Sequence, residues 1–201
     1  MIEYQDKPYF LKTDRIGFLR WEVTDTELAE TLWGDPEVTR FICASGVFTK
    51  PEILKRLNTE IQNGSEYGLQ YWPIFELATD ELIGCCGLRP RREKEYEIGF
   101  HLRPEFWGQG YAKEAAEAVI QYAFAVLKAE KLFAGHNPKN IASQKVLARL
   151  GFAYIGDEYY EPTGLYHPSY ELVSKITISE ATSEGAGQMG LDQEIALCRK
   201  R

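Results

Sequence analysis

Apolar residues recur at helical spacing through the first third of this chain, alternate through its middle, and return to helical spacing after residue 110. Arg15 to Trp21 alternates and predicts a first strand. Thr24-Asp-Thr-Glu27 has the form of a capping box and predicts a helix reaching about Trp33. Asp35-Pro36 offers a cap and a first-turn proline for a short helix, PEVTRFI, and Thr49-Lys-Pro-Glu52 caps the next, PEILKRLNTEIQN, with Ile53, Leu57 and Ile61 on one face. The runs GLQYWPIFEL, ELIGCCGL and EYEIGFHL, the first two joined tightly by ATDE, predict an antiparallel meander. Pro73 cannot donate to a ladder and is expected at an edge or a bulge. Lys113, Glu117, Gln121 and Lys128 then mark a narrow polar stripe on a mostly buried helix. KLFAGH predicts a short strand, NPKNIASQKVLARLGF a loop and a helix ending at Gly151, and FAYIGDEYY with PSYELVSKI a closing pair of strands.

Composition narrows the class. A chain of 201 residues, 44% apolar, suffices for one well-filled core, and no internal repeat is visible. The predicted organisation is one domain over residues 1–178, followed by a flexible tail over 179–201 that is poor in residues to bury, with a weak helix near Leu191 to Leu197. No run approaches the roughly 18 apolar residues of a membrane helix, and the charged start MIEYQDKPYF is unlike a secretory signal, so the expected location is cytoplasmic, with no membrane partner. Cys43, Cys85, Cys86 and Cys198 lack metal-type spacing, and Cys85-Cys86 read as reduced core residues; no metal is implied. A net charge of −7 argues against a nucleic-acid partner and tolerates an amine-bearing one.

The stretch Trp107-Gly-Gln-Gly-Tyr-Ala112 stands where a strand hands over to a helix. Its amides converge on the positive end of a helix dipole, glycines at 108 and 110 let an anion approach them, and Lys113 adds a cation. The plain alternative is a glycine turn before a core helix. A dinucleotide fingerprint fails, because Lys113 stands where glycine or alanine is needed and the preceding strands form a meander, and a phosphate-binding P-loop fails for want of Gly-Lys-Ser/Thr.

Together with that loop, HNPKNIASQKVLARLGF resembles the paired signature of the GNAT superfamily of N-acetyltransferases. More narrowly, LWGDPEVTRFI, IGCCGLRP, YEIGFHLRPEFWGQGYAKEA and NPKNIASQKVLARLGF are similar to the branch of ribosomal-protein alanine acetyltransferases of RimJ/RimL type, over about residues 8 to 178. The resemblance implies an α/β fold with a mixed, mostly antiparallel sheet, splayed at a central strand and flanked by helices. It implies acetyl-CoA as cosubstrate, bound at the loop that Trp107 begins, with the pyrophosphate on the amides of Gly108, Gln109, Gly110, Tyr111 and Ala112 and Lys113 beside them. EYEIGFHL becomes the splayed strand along the pantetheine arm, bringing in Phe100 and Leu102, with Gly99 suited to a bulge and an amide positioned to polarise the thioester carbonyl. Asn140 and Ser143 at the next helix both cap that helix and reach toward coenzyme A. Two positions depart from the family pattern: Trp107 replaces the usual Arg or Gln, and Leu147 replaces a tyrosine that protonates the leaving thiolate, which passes that role to Ser143, directly or through water.

The implied activity is transfer of acetyl from acetyl-CoA to a primary amine, either a protein N-terminal α-amine or a small amine, and a homodimer is left open. Such an amine must lose a proton before it attacks. Glu97 is the first candidate base, against the plain alternative of a solvated strand carboxylate; Glu158 and Glu161 are reserves, and His101 and His167 titrate in the right range but are more often structural. A different class, a non-catalytic coenzyme A-binding sensor or interaction module, also fits the absence of a tyrosine at 147.

Overall fold

The structure, a computed structural model, describes residues 8–174. The proposed tail over 179–201 and Cys198 lie outside the described residues. Among the described residues eight strands form one sheet: β1 (Leu11–Lys12), β2 (Ile16–Phe18), β3 (Tyr71–Glu76), β4 (Leu82–Arg92), β5 (Glu95–Leu102), β6 (Lys131–Gly135), β7 (Ala153–Tyr160) and β8 (Leu165–Val173). Their order is β1-β2-β3-β4-β5-β6-β8-β7, and every pairing is antiparallel except that of β5 with β6. Among the described residues five α-helices accompany the sheet, α1 (Thr26–Trp33), α2 (Pro36–Thr39), α3 (Lys50–Tyr67), α4 (Tyr111–Ala125) and α5 (Ile141–Arg149), with a short 3-10 turn at Pro104–Phe106. None of the described helices is long and apolar enough to cross a membrane.

The sheet separates two cores. One joins Trp72, Ile83, Cys86, Leu88 and Ile98 to Ala115, Val119 and Leu147 of α4 and α5; the other joins Tyr71, Phe75 and Cys85 to Trp33 of α1 and to Ile53 and Leu57 of α3. Adjacent strand residues face opposite ways, so Cys85 and Cys86 are both buried, both free, and belong to different cores. The meander and the mostly buried α4 therefore follow the sequence pattern.

Local details depart from it. The strand expected over Arg15 to Trp21 is shorter, Ile16–Phe18, with one further bond along the same ladder, Leu19 N–H to Pro73 O, and it is preceded by a short strand, Leu11–Lys12, that the pattern did not predict. No box forms at Thr24: the cap of α1 is Asp25, whose carboxylate instead accepts from the Glu22 N–H at 2.8 Å. At α3 the reciprocal contact does form, Glu52 accepting from Thr49 N–H and hydroxyl at 2.7 Å, and the helix runs past Asn63 to Tyr67 before Gly68 stops it. Pro73 sits on an interior strand, where β2 has run out, next to a register shift between Ile74 and Phe75. Lys128, expected on the polar stripe, lies beyond the end of α4 at φ 54°.

Candidate active site

The parallel pair β5–β6 holds for only three residues, Glu95 to Glu97 against Lys131 to Phe133. Past that point β5 stays with β4 as far as Leu102, and β6 stays with β8 as far as Gly135, so the two strands part and leave a cleft of about 600 Å³. The sheet is splayed at the strand that the family resemblance implies, but not by a bulge at Gly99. Strand β5 pairs with β4 in register through Gly87 and Gly99, and a Cβ at 99 would lie 2.3 Å from Cζ of Tyr71. Glycine is required there because a tyrosine ring from β3 crosses over it.

One end of the cleft is the turn into α4. Gly108 and Gly110 have φ of 74° and 88°, a region that side chains disfavour, and Gly110 caps α4 without any side chain to occupy the first-turn N–H groups. The first helical bond is Glu114 N–H to Gly110 O, which leaves the amides of Tyr111, Ala112 and Lys113 to a ligand. Arg15 braces this turn from behind. Its Nη1 and Nη2 donate to Gln109 O at 3.2 and 3.3 Å, its Nε donates to Glu114 at 2.7 Å, and its guanidinium lies 4.2 Å from the Tyr111 ring centroid. Lys113 spends its ammonium on Glu117 at 2.6 Å. Trp107 is 43% exposed, its Nε1–H donating to Leu102 O at 2.8 Å, which orients the ring without using a charge. Across the cleft, Asn140 caps α5 by accepting the Ser143 N–H at 3.1 Å, and Ser143 lines the cleft beside it. Leu147 is core, 2% exposed.

The other end is built from side chains. Tyr71 passes over Gly99 and donates its hydroxyl to Glu97 Oε1 at 2.8 Å. Burial, reinforced by the Glu97 charge, pushes the Tyr71 phenol well above its ordinary value, so it remains a donor. Glu60 of α3 is completely buried and accepts the Tyr71 N–H at 2.9 Å while pairing with Arg56 at 3.1 Å and with Arg89. The Arg89 guanidinium lies 4.4 Å from the Tyr71 ring centroid. His101 Nδ1 accepts from Trp33 Nε1–H at 3.3 Å, and burial, aided by the charges of Arg56 and Arg89, holds the imidazole well below its ordinary pKa. A neutral ring with Nδ1 so engaged carries its proton on Nε2, which argues against His101 as a base. His167 Nε2 shares a 2.7 Å hydrogen bond with Thr163, and burial lowers its pKa too, with His136 adding to the effect.

Glu97, Phe100, Leu102, Trp107, Gly108, Gly110, Tyr111, Ala112, Lys113, Asn140 and Ser143 all line this one cleft, as do Glu158, His101 and His167. Gln109 and Glu161 do not; the Gln109 side chain turns back to donate to Glu105 O at 2.7 Å. Glu158 is held by Arg91 at 2.7 and 2.8 Å, whereas Glu97 accepts the Tyr71 hydroxyl at Oε1 and forms no salt bridge among the described residues. Sequence reasoning missed Arg15, Tyr71, Glu60, Arg56 and Arg89. A signal existed for one pair: the register of the meander sets Arg89 opposite Glu97.

Among the described residues no cluster of His, Cys, Asp and Glu is grouped to hold a metal ion. Comparison with known proteins agrees with this geometry. The profile described as acetyltransferase (GNAT) domain matches residues 15–153. The uncharacterized protein YkkB of Bacillus subtilis is 33% identical over 148 residues, 72% of this chain and 85% of that protein. An uncharacterized N-acetyltransferase of Bacillus licheniformis is 30% identical over 151 residues, 73% of this chain and 83% of that one. Among solved structures, RimL, described as a ribosomal L7/L12 alpha-N-protein acetyltransferase in complex with coenzyme A, superposes with a TM-score of 0.67 over 80% of this chain and 95% of that chain, at 18% identity.

Proposed function

Because this chain belongs to the GNAT family of acetyltransferases, we propose that it moves acetyl from acetyl-CoA directly to a primary amine, in the manner of the RimJ/RimL-type enzymes, with Glu97 taking the proton from the amine. The observation that carries this reading is the parting of β5 and β6 with the α4 turn at the mouth of the gap. The cradle fits the coenzyme: two glycines at positive φ hold three free amides toward the cleft, where a Cβ on Gly108 would meet nothing within 4 Å. Gly108 through Lys113 hold the pyrophosphate, Asn140 and Ser143 lie along the arm, and Phe100 and Leu102 belong to the strand beside it.

The reaction then runs in one balanced step sequence. Glu97 accepts a proton from the substrate ammonium, the freed lone pair attacks the thioester carbonyl, a C–N bond forms, and the C–S bond breaks. An amide of β5 meets the developing oxyanion. The departing thiolate is protonated by Ser143, directly or through water, since Leu147 has no proton to give, and the second proton that the acylated nitrogen must shed returns through water to Ser143, so that Glu97 keeps one proton and the thiol carries the other. Glu97 is preferred to Glu158 because Glu158 is already neutralised by Arg91. Protein N-terminal α-amines and small amines both satisfy this chemistry. A non-catalytic binding module is not favoured, because only Leu147 speaks for it. Incubation with acetyl-CoA and a panel of amines and short peptides, read by thiol release, tests the reading. Release that depends on the amine supports it; coenzyme binding without release for every amine overturns it.

A further inference from the structure

The acceptor end holds more positive charge than its architecture needs. Arg56 of α3 and Arg89 of β4 both line the cleft and both point a nitrogen at the same oxygen, Oε1 of Glu60. Glu60 is 0% exposed, and its other oxygen is taken by the Tyr71 N–H, so it cannot meet a ligand. Two guanidiniums thus share one carboxylate. Neither Nε has a well-directed hydrogen-bond acceptor, and the Nη groups of Arg56 have none among the described residues. Both side chains are mostly buried, and although the rings of Trp33 and Tyr71 lie within about 6 Å of the Arg56 guanidinium and that of Tyr71 beside Arg89, ring faces do not replace a hydrogen-bonding anion; a structural pair would need only one arginine for one glutamate. Nor does composition explain the excess. The chain carries −7, yet the walls of the cleft carry six arginines and lysines against three glutamates.

The second carboxylate nearby is Glu97. It stands directly across the ladder from Arg89 but makes no ion pair with it, its bond coming from Tyr71 instead. The Cβ atoms of directly opposed residues on neighbouring antiparallel strands stand about 4.5–5.5 Å apart, close enough for the carboxylate of one and the guanidinium of the other to meet the amine and the carboxylate of one small acceptor. A negative group and a positive pair are therefore held side by side, each with unused hydrogen-bonding capacity.

Resting on the acetyl-transfer reading above, we propose that the acceptor bears a carboxylate close to its amine, and that Arg56 and Arg89 bind this carboxylate while Glu97 receives the ammonium. The arginine pair selects the acceptor class and fixes which face the amine presents to the thioester. The carboxylate has two sources: the α-carboxylate of a free amino acid, or the side chain of an acidic first residue in a peptide.

The test uses the full-length protein at saturating acetyl-CoA, with the twenty free L-amino acids, their carboxamides, and tetrapeptides beginning with Glu or with Gln. Thiol release is expected to show kcat/KM at least about tenfold higher for acids than for the matched carboxamides, or for Glu-initiated than for Gln-initiated peptides. The arm that responds identifies the source. The free-acid comparison is conservative, because a carboxamide leaves more unprotonated amine at neutral pH. Arg56→Gln should erase the preference and Arg56→Lys should keep part of it, with coenzyme A affinity unchanged as the check on folding. If Arg56→Gln does not fold, the wild-type panel still decides. Carboxamides and neutral peptides used as well as their acidic counterparts overturn the proposal. If no amine is acetylated, calorimetry on the coenzyme-A-loaded protein separates the two readings: N-acetyl-L-alanine bound over N-acetyl-L-alaninamide sustains the arginine subsite while transfer fails, and equal or absent binding of both overturns the subsite.

Discussion

The two ends of the cleft offer a ligand different parts of the chain. At the α4 turn, what faces inward is backbone: the amides of Tyr111, Ala112 and Lys113, exposed by glycines at 108 and 110. At the Tyr71 end, what faces inward is side chain: Glu97, Arg56 and Arg89, positioned by Tyr71, which itself lines the cleft, and by a buried glutamate, Glu60, that does not. The amides of the first end come from a few consecutive residues, with Arg15 bracing the turn from far along the chain. The second collects groups from α3, β3, β4 and β5, and Tyr71 reaches a glutamate 26 positions away. A site made of amides tolerates changes of side chain and resists only changes of backbone. A site made of networked side chains should respond to every member.

The strongest challenge to that contrast is Glu97→Gln. It is expected to lower turnover by about 10²–10⁴-fold and leave acetyl-CoA affinity unchanged, measured by thiol release and by calorimetry. Near-normal turnover would move the proton to Glu158 or to water. Glu60→Gln comes next, although Glu60 meets no ligand. Removing the one carboxylate under two guanidiniums should cost about 3–5 kcal/mol of stability in denaturant unfolding, and a loss below about 1 kcal/mol would mean that the network does not hold the acceptor end.

Legibility follows the same division. The glycine turn and the Asn140 cap were readable because each depends on neighbours in sequence, a residue type at a helix end; the hydrophobic period marks β5 as a strand, but that it is the splayed one came from the family resemblance alone. The acceptor end was readable only at Glu97, through its place on β5. Arg56 and Glu60 look in sequence like an ordinary i, i+4 surface pair, and nothing local reveals that Tyr71 and Arg89 close over them. Gly99 shows the same limit in one residue. Its identity is legible but its reason is not, because the space it leaves is filled by a ring from another strand. Local competition misled at Thr24 too, where the helix takes Asp25 as its cap and spends that side chain on the Glu22 N–H.

Backbone sensitivity at the other end is tested by Gly110→Ala. At φ 88° a Cβ is strained, so about 1–2 kcal/mol of stability should be lost even though its nearest neighbour there is Arg15 Nη2 at 3.6 Å. Acetyl-CoA affinity should fall with it, because relief of the strain turns the amides away. A folded variant with unchanged affinity would remove this turn from the site.

Smaller still is the effect of pH through His101. The folded protein holds this ring neutral, with its pKa below the ordinary value, so between the two pKa values the unfolded chain binds more protons and stability rises with pH. The contribution is complete above about pH 6.5 and is lost as pH falls below it, by at most about 1.4 kcal/mol per pH unit. His167 adds in the same direction. Melting temperatures from pH 7.5 to 5 should decline, and His101→Gln, which can still accept from Trp33, should flatten the slope. An unchanged slope would place the linkage elsewhere.

The least effect is expected where a side chain stands at the backbone-built end. Lys113 sits in the first turn of α4, where a cation beside a phosphate would ordinarily matter, but its ammonium is already bound to Glu117 at 2.6 Å and both side chains are more than 40% exposed. Attraction to an incoming phosphate must therefore compete with an existing pair and with water, a setting in which exposed ion pairs contribute about 0–1 kcal/mol. Lys113→Gln should weaken acetyl-CoA binding by no more than about fivefold, the equivalent of that range, and the difference should shrink as salt is added. Measured beside Gly110→Ala, it weighs charge against backbone at one turn. A larger loss from Lys113→Gln than from Gly110→Ala would show that the coenzyme end also works through side chains, and the contrast between the two ends would fall.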